Sequence, residues 1–459
     1  MNGTLQIIAK IIVDGKVVEE TILLDKLVDK VSSIDELGFN HKEQIDLISG
    51  CQDSLLKAQS TDLYEEIDSC PKCQGKLKFA GTVKSLFHSV FSDHKVPVKR
   101  RKCCNKDCGW TSVPSISSLF KTNAHPDLSK LQTEMSANYT YRHAQRIMNA
   151  MSYYTRKVNN HNHLHDVVET VGNYICSNQA KDIPANIPAS DELILQVDGG
   201  HLKTKEPSSR SFEALTSVIY DPKNIKYSEP NPKENLEQES PRRATILSKH
   251  CAASALNDNL QTIKKQTLLA AQKQGMTVET KITALCDGAS NCWNVVNAIE
   301  DQCIDITRIL DWFHIAMKFK NVSLPKYLAN KFDKIKWCVW NGLIIEALKR
   351  FDEIVPKTRN EKMKGRLTKL KNYLTNNQDY LVNYSERYRE GKLISSSLAE
   401  SNVETLINQR CKGQQHMKWT REGAHALLQI RSAIASNDWN IYGNEYVLNA
   451  TTQAAYRSQ

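Results

Sequence analysis

Two apolar runs in the sequence each end on a carboxylate. Residues 193–201 read LILQVDGGH and residues 281–290 read KITALCDGAS, so Asp198 and Asp287 both close a strand-like aliphatic stretch and both precede glycine. A lone buried aspartate is costly unless it is hydrogen-bonded, paired or bound to a metal. If the two strands are neighbours, their acids converge, and like charges that close are tolerated when a hard divalent cation sits between them. The adjacent glycines would then leave room for a phosphate. Late in the chain, ISSSLAESNVETLINQRCK places Glu400 and Glu404 four residues apart on one helical face, with Arg410 and Lys412 further along. Either glutamate could complete a three-carboxylate site holding two Mg2+ ions, or Mn2+ in their place, for in-line displacement at a phosphodiester.

A second cluster has softer ligands. CPKC supplies Cys70 and Cys73, and RKCCNKDCGW supplies Cys103, Cys104 and Cys108. Two such pairs about thirty residues apart read as a zinc ribbon, in which four protein ligands leave no open position, so the zinc is structural. The preferred second pair is Cys103 with Cys108, and Cys104 is the rival ligand. His88 and His94 are possible substitute ligands, but each reads as an ordinary surface histidine. The neighbouring KVPVKRRK brings Arg100 and Arg101 beside the knuckle, a pattern suited to phosphate contacts.

Between residues 126 and 180 the periodicity is helical, with LQTEMSANYTYRHAQRIMNAM and HLHDVVETVGNYI separated by the polar KVNNHNH. Such a pair suits a helix-turn-helix presenting Tyr141, Arg142, Arg146, Arg156 and Lys157 to DNA. His161, His163 and His165 read as a loop and helix start.

The elements that must position these groups follow from the remaining pattern. MNGTLQIIAKIIVDGKVVEE alternates like a hairpin with an Asp-Gly turn. After the linker KDIPANIPAS come ELILQVD, SFEALTSVIY, ATILSKHCAAS, TKITALCD and ITRILDW as strands, with helices after the third and fourth. This implies an α/β domain built on a mixed sheet. The domains expected are an N-terminal hairpin and helix (1–60), the zinc ribbon (61–115), a helical DNA-binding region (120–180) and a catalytic domain (190–459) with a charged helical insertion at about 324–390. A chain of 459 residues has length enough for several cores, and a net charge of +10 favours a polyanionic partner. No apolar run could span a bilayer, the start is unlike a secretory signal, and most cysteines are scattered singly, so a cytoplasmic protein is expected.

The wording of VDGGHLKTK, SFEALTSVIY, CDGASNCWNVV, ILDWFHIAMKF and AESNVETLINQRCKGQQHMKW resembles bacterial insertion-sequence DDE transposases, of the Kra-type group related to Mutator-like elements. The resemblance covers roughly residues 190–435. It implies a ribonuclease H-like fold interrupted by a helical insertion, and a catalytic triad of Asp198, Asp287 and Glu400. Glu400 is chosen over Glu404 because its spacing to Arg410 is that of the family, although SSSLA replaces the usual glycine-serine-glycine lead-in. Asp311 and His314 match an Asp-x-x-His signature, which puts His314 near the active site. Arg410, Lys412 and Trp419 match the basic and aromatic part of the glutamate segment, and Trp293, Trp312 and Trp419 could stack on an exposed base. The implied activity is Mg2+-dependent cleavage at terminal inverted repeats, followed by transfer of the freed 3'-OH into target DNA. The assembly would be a homodimer or a larger synaptic complex associated with the nucleoid. A domesticated DNA-binding regulator and a nuclease lacking strand transfer are the alternatives.

Overall fold

The computed structural model describes residues 3–28, 30–178, 183–184, 186–227, 244–322, 324–396, 403–412 and 417–457. The chain divides into two compact units, one of residues 1–174 with 442–459 and one of residues 175–441. Among the described residues no helix is long and apolar enough to cross a membrane.

The first unit opens with a hairpin of β1 (Gly3–Val13) and β2 (Lys16–Val28). Its turn sits at Asp14 and Gly15, both at positive φ (50° and 76°), which matches the right-handed strand twist. The helix α1 (His41–Gln59) follows, started by a capping box in which Asn40 accepts from the Glu43 amide and Glu43 reaches back to Asn40. A second antiparallel pair, β3 (Leu77–His88) and β4 (Asp93–Cys103), leads into α2 (Ile116–Phe120), α3 (Pro126–Asn138), α4 (Tyr141–Met151) and α5 (His161–Asn178). The sequence suggested one helix from Leu131 to Met151. Instead the chain breaks at Tyr139 and Thr140, which take extended dihedrals while the Thr140 hydroxyl caps the His143 amide. The tight turn therefore lies between α3 and α4, not in KVNNHNH.

The second unit is a mixed α/β structure around a five-stranded sheet. Its strands are β5 (Glu192–Lys203), β6 (Ser211–Tyr220), β9 (His250–Ser254), β10 (Lys281–Cys286) and β11 (Asp305–Leu310), in the spatial order β11-β10-β5-β6-β9. β6 runs antiparallel to β5 and to β9, whereas β10 is parallel to β5 and β11 parallel to β10. The expected third strand is split: β8 (Ala244–Ile246) pairs with β7 (Ile225–Tyr227) outside the main sheet. The helices α6 (Gln261–Lys273) and α7 (Ser290–Asn297) cover one face, burying Ile263, Ala271, Trp293 and Val296 against Leu193, Leu195, Ala284 and Ile306. Leu193 to Val197 are buried at every position, so both faces of this central strand are covered, which explains its unbroken run of buried residues. Beyond β11 come α8 (Trp312–Lys320), α9 (Lys326–Trp340), α10 (Ile344–Ile354), α11 (Glu361–Asn376) and α12 (Tyr384–Arg389). A π-helical turn (Val403–Asn408) then runs into α13 (Gln409–Cys411), before α14 (Arg421–Ala435) and α15 (Asp438–Arg457).

Candidate functional site

The parallel register explains how the acids are brought together. Cys286 pairs with Val197 on one side and with Leu310 on the other. Asp198, Asp287 and Asp311 are the next residue on each of these three neighbouring strands, so the sheet presents a row of carboxylates at one edge. Adjacent strands lie about 4.8 Å apart, and this spacing is short enough for the charges to interact. Burial pushes the Asp198 carboxyl above the usual range, and the negative charges of Asp287 and Asp311 add to the shift, while His314 opposes it. The Asp198 Oδ1 also accepts the Gly199 amide at 2.7 Å.

Asp311 behaves differently from its neighbours. It is almost fully buried and caps α8, accepting the Phe313 amide at 2.8 Å. Its other oxygen lies 3.1 Å from His314 Nδ1 and also accepts the Ser396 hydroxyl. Burial alone would raise its pKa, but the hydrogen bonds from His314 and Ser396 hold it below the ordinary value. For His314, burial works to lower the pKa, yet the hydrogen bond to Asp311 and the charges of Asp311, Asp198 and Asp287 raise it overall. When protonated, the His314 ring would place a positive charge beside the three acids. With Nδ1 turned to Asp311, Nε2 is the nitrogen left to act on a ligand. The hydrogen bond to Asp311 and the place beside the acids are parts of one arrangement.

Three side chains that no sequence motif marks support this edge. Tyr373 of α11 donates its hydroxyl to the Asp287 carbonyl at 2.8 Å, and Lys318 lies 4.2 Å above the Tyr373 ring. Ser396 comes from the serine run before the described segment ends. Nothing local could have revealed Tyr373, since 86 residues separate it from its partner.

The glycines beside the acids are each closely approached by a protein side chain. A Cβ on Gly200 would lie 2.9 Å from Ile407 Cδ1 and 3.0 Å from Val403 Cγ1, so Gly200 admits the π-helical turn. A Cβ on Gly199 would meet the Glu213 carboxylate at 2.7 Å, and one on Gly288, at φ +93°, would meet Asn377 at 2.8 Å. Val403 and Ile407 thereby come to rest on the strand residue two positions beyond Asp198. Arg431 of α14 holds this turn in place by donating to the carbonyls of Leu406, at 2.8 Å, and Thr405, groups that a π-helix leaves outside the regular ladder.

Glu400 lies outside the described residues. Glu404 is exposed and accepts from Asn408 Nδ2 at 2.8 Å. Several residues expected at DNA turn inward. Arg410 is fully buried, with its guanidinium 5.3 Å over the Trp419 ring and 3.7 Å from the Met417 sulfur. Trp419 is buried too and donates to the Cys411 carbonyl at 3.3 Å. Trp293 packs on Tyr380 (4.3 Å between centroids), and Trp312 packs between Trp340 (4.7 Å) and Tyr384 (4.9 Å). Trp293 and Trp419 are buried in the core, whereas Trp312 is half-buried in its aromatic cluster. Lys412 is half-buried at the end of α13.

In the first unit, Arg142 and Arg146 are exposed on α4. Arg156 is not: its guanidinium is buried and donates to Asp93 at 2.6 Å and to the carbonyls of Ser89, Val90 and Ser92, closing the β3–β4 turn. Arg100 donates to the Ala80 carbonyl of its own sheet, and Arg101 donates to the Ile67 carbonyl and lies 4.4 Å over Tyr64, both in the segment before β3. His88 pairs with Asp93, and His94 with Asp53.

The cysteines converge as a metal site would require. Cys70, Cys73, Cys103 and Cys108 place their sulfurs within 4.8 Å of one another, the only such set of three or more donors among the described residues. Cys70 and Cys108 are 3.6 Å apart and Cys73 and Cys103 3.5 Å. A tetrahedron with Zn–S bonds of about 2.3 Å has edges of about 3.8 Å, close to these separations. The Asn105 amide points at Cys103 Sγ (3.4 Å), and Gln74 and Gly109 take the positive φ (58° and 65°) of two tight knuckles. Cys104 is exposed and stands outside the set. The four sulfurs could hold a structural metal such as zinc.

No protein-family model matches the chain, and no curated protein does. Among solved structures, the Drosophila P element transposase strand transfer complex aligns with a TM-score of 0.29 and 9% identity, over 67% of this chain and 91% of that one.

Proposed function

We propose that this chain is a DDE-type transposase, a divalent-metal-dependent polynucleotidyl transferase acting on DNA. The observation that carries the reading is the row of Asp198, Asp287 and Asp311 at one edge of three parallel strands, with His314 beside it. Two of these carboxylates, Asp198 and Asp287, remain available to a cation, whereas Asp311 is engaged by His314 and Ser396. Glu400 is proposed as the third ligand, from the segment that leads into the turn packed on Gly200. Hard oxygen donors of this kind suit Mg2+, which would supply charge neutralisation at a phosphodiester. The residues of the chain do the positioning. Tyr373 and Asn377 fix the tip of β10, Asp311 fixes His314, and a protonated His314 would donate its Nε2–H to a phosphate oxygen.

The sheet supports a ribonuclease H-like reading: three antiparallel strands in sequence, then two parallel ones, with the first strand at the centre. The cysteine knuckles support a zinc ribbon, and exposed Arg142 and Arg146 on the second helix of a tight helical pair support a DNA-reading surface. The terminal repeats flanking the gene would be the specific DNA, and two bound copies of the chain would bring the ends together.

The test uses the full chain, labelled DNA carrying those flanking repeats, and a supercoiled target plasmid in Mg2+. Wild-type protein should cut the ends and join them to the plasmid. Asp198→Asn should bind the ends equally well and cut more than about a thousandfold more slowly. Cutting without joined products would favour the nuclease, and binding without cutting would favour the regulator. Undiminished cutting by Asp198→Asn would overturn the assignment of the site.

A further inference from the structure

The β1–β2 hairpin is half finished as a structural unit. One face carries Ile7, Ala9, Ile11, Thr21 and Leu24 against α1, and two ion pairs, Lys26 with Glu43 (2.8 Å) and Lys57 with Glu19 (2.5 Å), tie the helix to this side. The register places Thr4, Gln6, Ile8, Lys10 and Ile12 of β1, with Leu27, Asp25, Ile22, Glu20 and Val17 opposite them on β2, on the other face. All ten are exposed. The aliphatic five, Ile8, Ile12, Val17, Ile22 and Leu27, are between 36% and 70% exposed. That leaves on the order of 500 Å2 of exposed apolar surface, comparable in size to a large patch on a monomer, laid out in bands separated by the Gln6–Asp25 and Lys10–Glu20 pairs.

We propose that this face is covered by the same face of a second copy of the chain. Two observations select that occupant. The first is charge. Lys10 and Glu20 pair at 3.1 Å in the middle of the face, and a two-fold axis along the strands lays every residue of β1 over its own cross-strand neighbour in the partner. Lys10 then faces the partner's Glu20, Gln6 faces the partner's Asp25, Ile8 faces the partner's Ile22 and Ile12 faces the partner's Val17. The face is self-complementary in both charge and apolarity, as a two-fold contact requires. The second is area. Two such faces stacked about 10 Å apart bury roughly 1,000 Å2 of apolar surface, and the interleaved Gln6, Asp25, Lys10 and Glu20 side chains add to it, which together approaches the 1,200–2,000 Å2 of stable interfaces. A two-stranded hairpin with one bare face is marginal in water, and a second sheet above it supplies the missing layer. The stretch 228–243, SEPNPKENLEQESPRR, offers one aliphatic residue, Leu236, and no apolar cover. The proposal stands apart from the catalytic reading, since it uses none of the acidic site.

Sedimentation equilibrium of the full chain from 1 to 50 μM tests it, with far-UV circular dichroism and thermal melts as controls for folding. Wild type should be a dimer at the upper end of that range. Ile12→Lys and Leu27→Glu, at opposite ends of the face and both more than half exposed, should each weaken dimerisation at least tenfold with unchanged spectra and melting. Lys10→Glu should weaken it as well, and Lys10→Glu with Glu20→Lys should restore it. A monomeric wild type, or a dimer that survives Ile12→Lys and Leu27→Glu, would overturn the proposal. So would failure of the charge exchange to restore association.

Discussion

Replacing Gly200 by alanine separates two explanations for a glycine beside a candidate catalytic acid. If the position exists to admit a phosphate, alanine should leave folding intact and damage DNA chemistry. If it admits the late helical turn, alanine should destabilise the second unit. A Cβ there would sit 2.9 Å from Ile407 Cδ1 and 3.0 Å from Val403 Cγ1, against normal carbon contacts of about 3.5–4.0 Å. Overpacking of this kind costs about 1–3 kcal/mol. Alanine recovers about 0.5–1 kcal/mol through the lower entropy of its unfolded chain, so a net loss of about 1–2 kcal/mol is expected. For a unit of this size that is about 2–6 °C in melting temperature. Ile407 can move its terminal methyl, but Val403 is β-branched and has little rotamer freedom. Differential scanning calorimetry of Gly200→Ala, Ile407→Ala and the double variant measures the coupling, and the double variant should be more stable than the sum of the single changes by about 1 kcal/mol. In Gly199→Ala the clash is with the movable end of Glu213, so it should cost less. A Gly200→Ala protein that melts like wild type, with no coupling to Ile407, would refute the packing argument.

Three further outcomes follow from the geometry. Purified chain should carry one zinc per molecule by elemental analysis; Cys70→Ser should lose it and melt earlier in the first unit, whereas Cys104→Ser should keep it, because Cys104 stands outside the sulfur cluster. Arg156→Ala should destabilise the first unit by about 3 kcal/mol in urea titration, since it strands Asp93 and three turn carbonyls beside a buried void. The His314–Asp311 pair has a definite pH signature. His314 is held above its ordinary 6.5, so its contribution is complete below about that pH and is lost as pH rises through the elevated folded value. Asp311 is held below 3.8, so its contribution is present above that value and is lost as pH falls through the lowered one. The melting-temperature gap between wild type and His314→Gln should therefore be larger at pH 5.5 than at pH 8.5, and a gap that is constant or grows with pH would contradict the pairing.

The sequence carries some of this architecture and not the rest, for physical reasons. Strand tips are legible because an aliphatic run ending in Asp-Gly is an unusual local pattern, and two such patterns announce Asp198 and Asp287 without knowledge of the sheet. The cysteine knuckles are legible for the same reason, since ligand spacing and turn residues are local. The packing role of Gly200 is invisible locally because what fills the space beside it comes from Val403 and Ile407, two hundred residues away. Arg156, Arg410 and Trp419 were read as surface groups because charge and aromaticity say nothing of burial; Arg410 needs a ring above it and Arg156 needs a turn of carbonyls around it, and both arise only on folding. Asp311 shows the mixture well. Its spacing to His314 is visible in the sequence, while its alignment with Asp198 and Asp287 depends on parallel pairing that no local pattern encodes.

The most direct test of the acidic site is to map where a divalent ion binds. Substituting Fe2+ for Mg2+ in the full chain, with ascorbate and peroxide, cleaves the backbone beside the bound ion, and mass spectrometry locates the breaks. The account predicts cuts at Asp198, at Asp287 and within 397–404, suppressed by excess Mg2+ and absent from Asp198→Asn. Cuts confined to other regions, or a pattern that Asp198→Asn leaves unchanged, would contradict it.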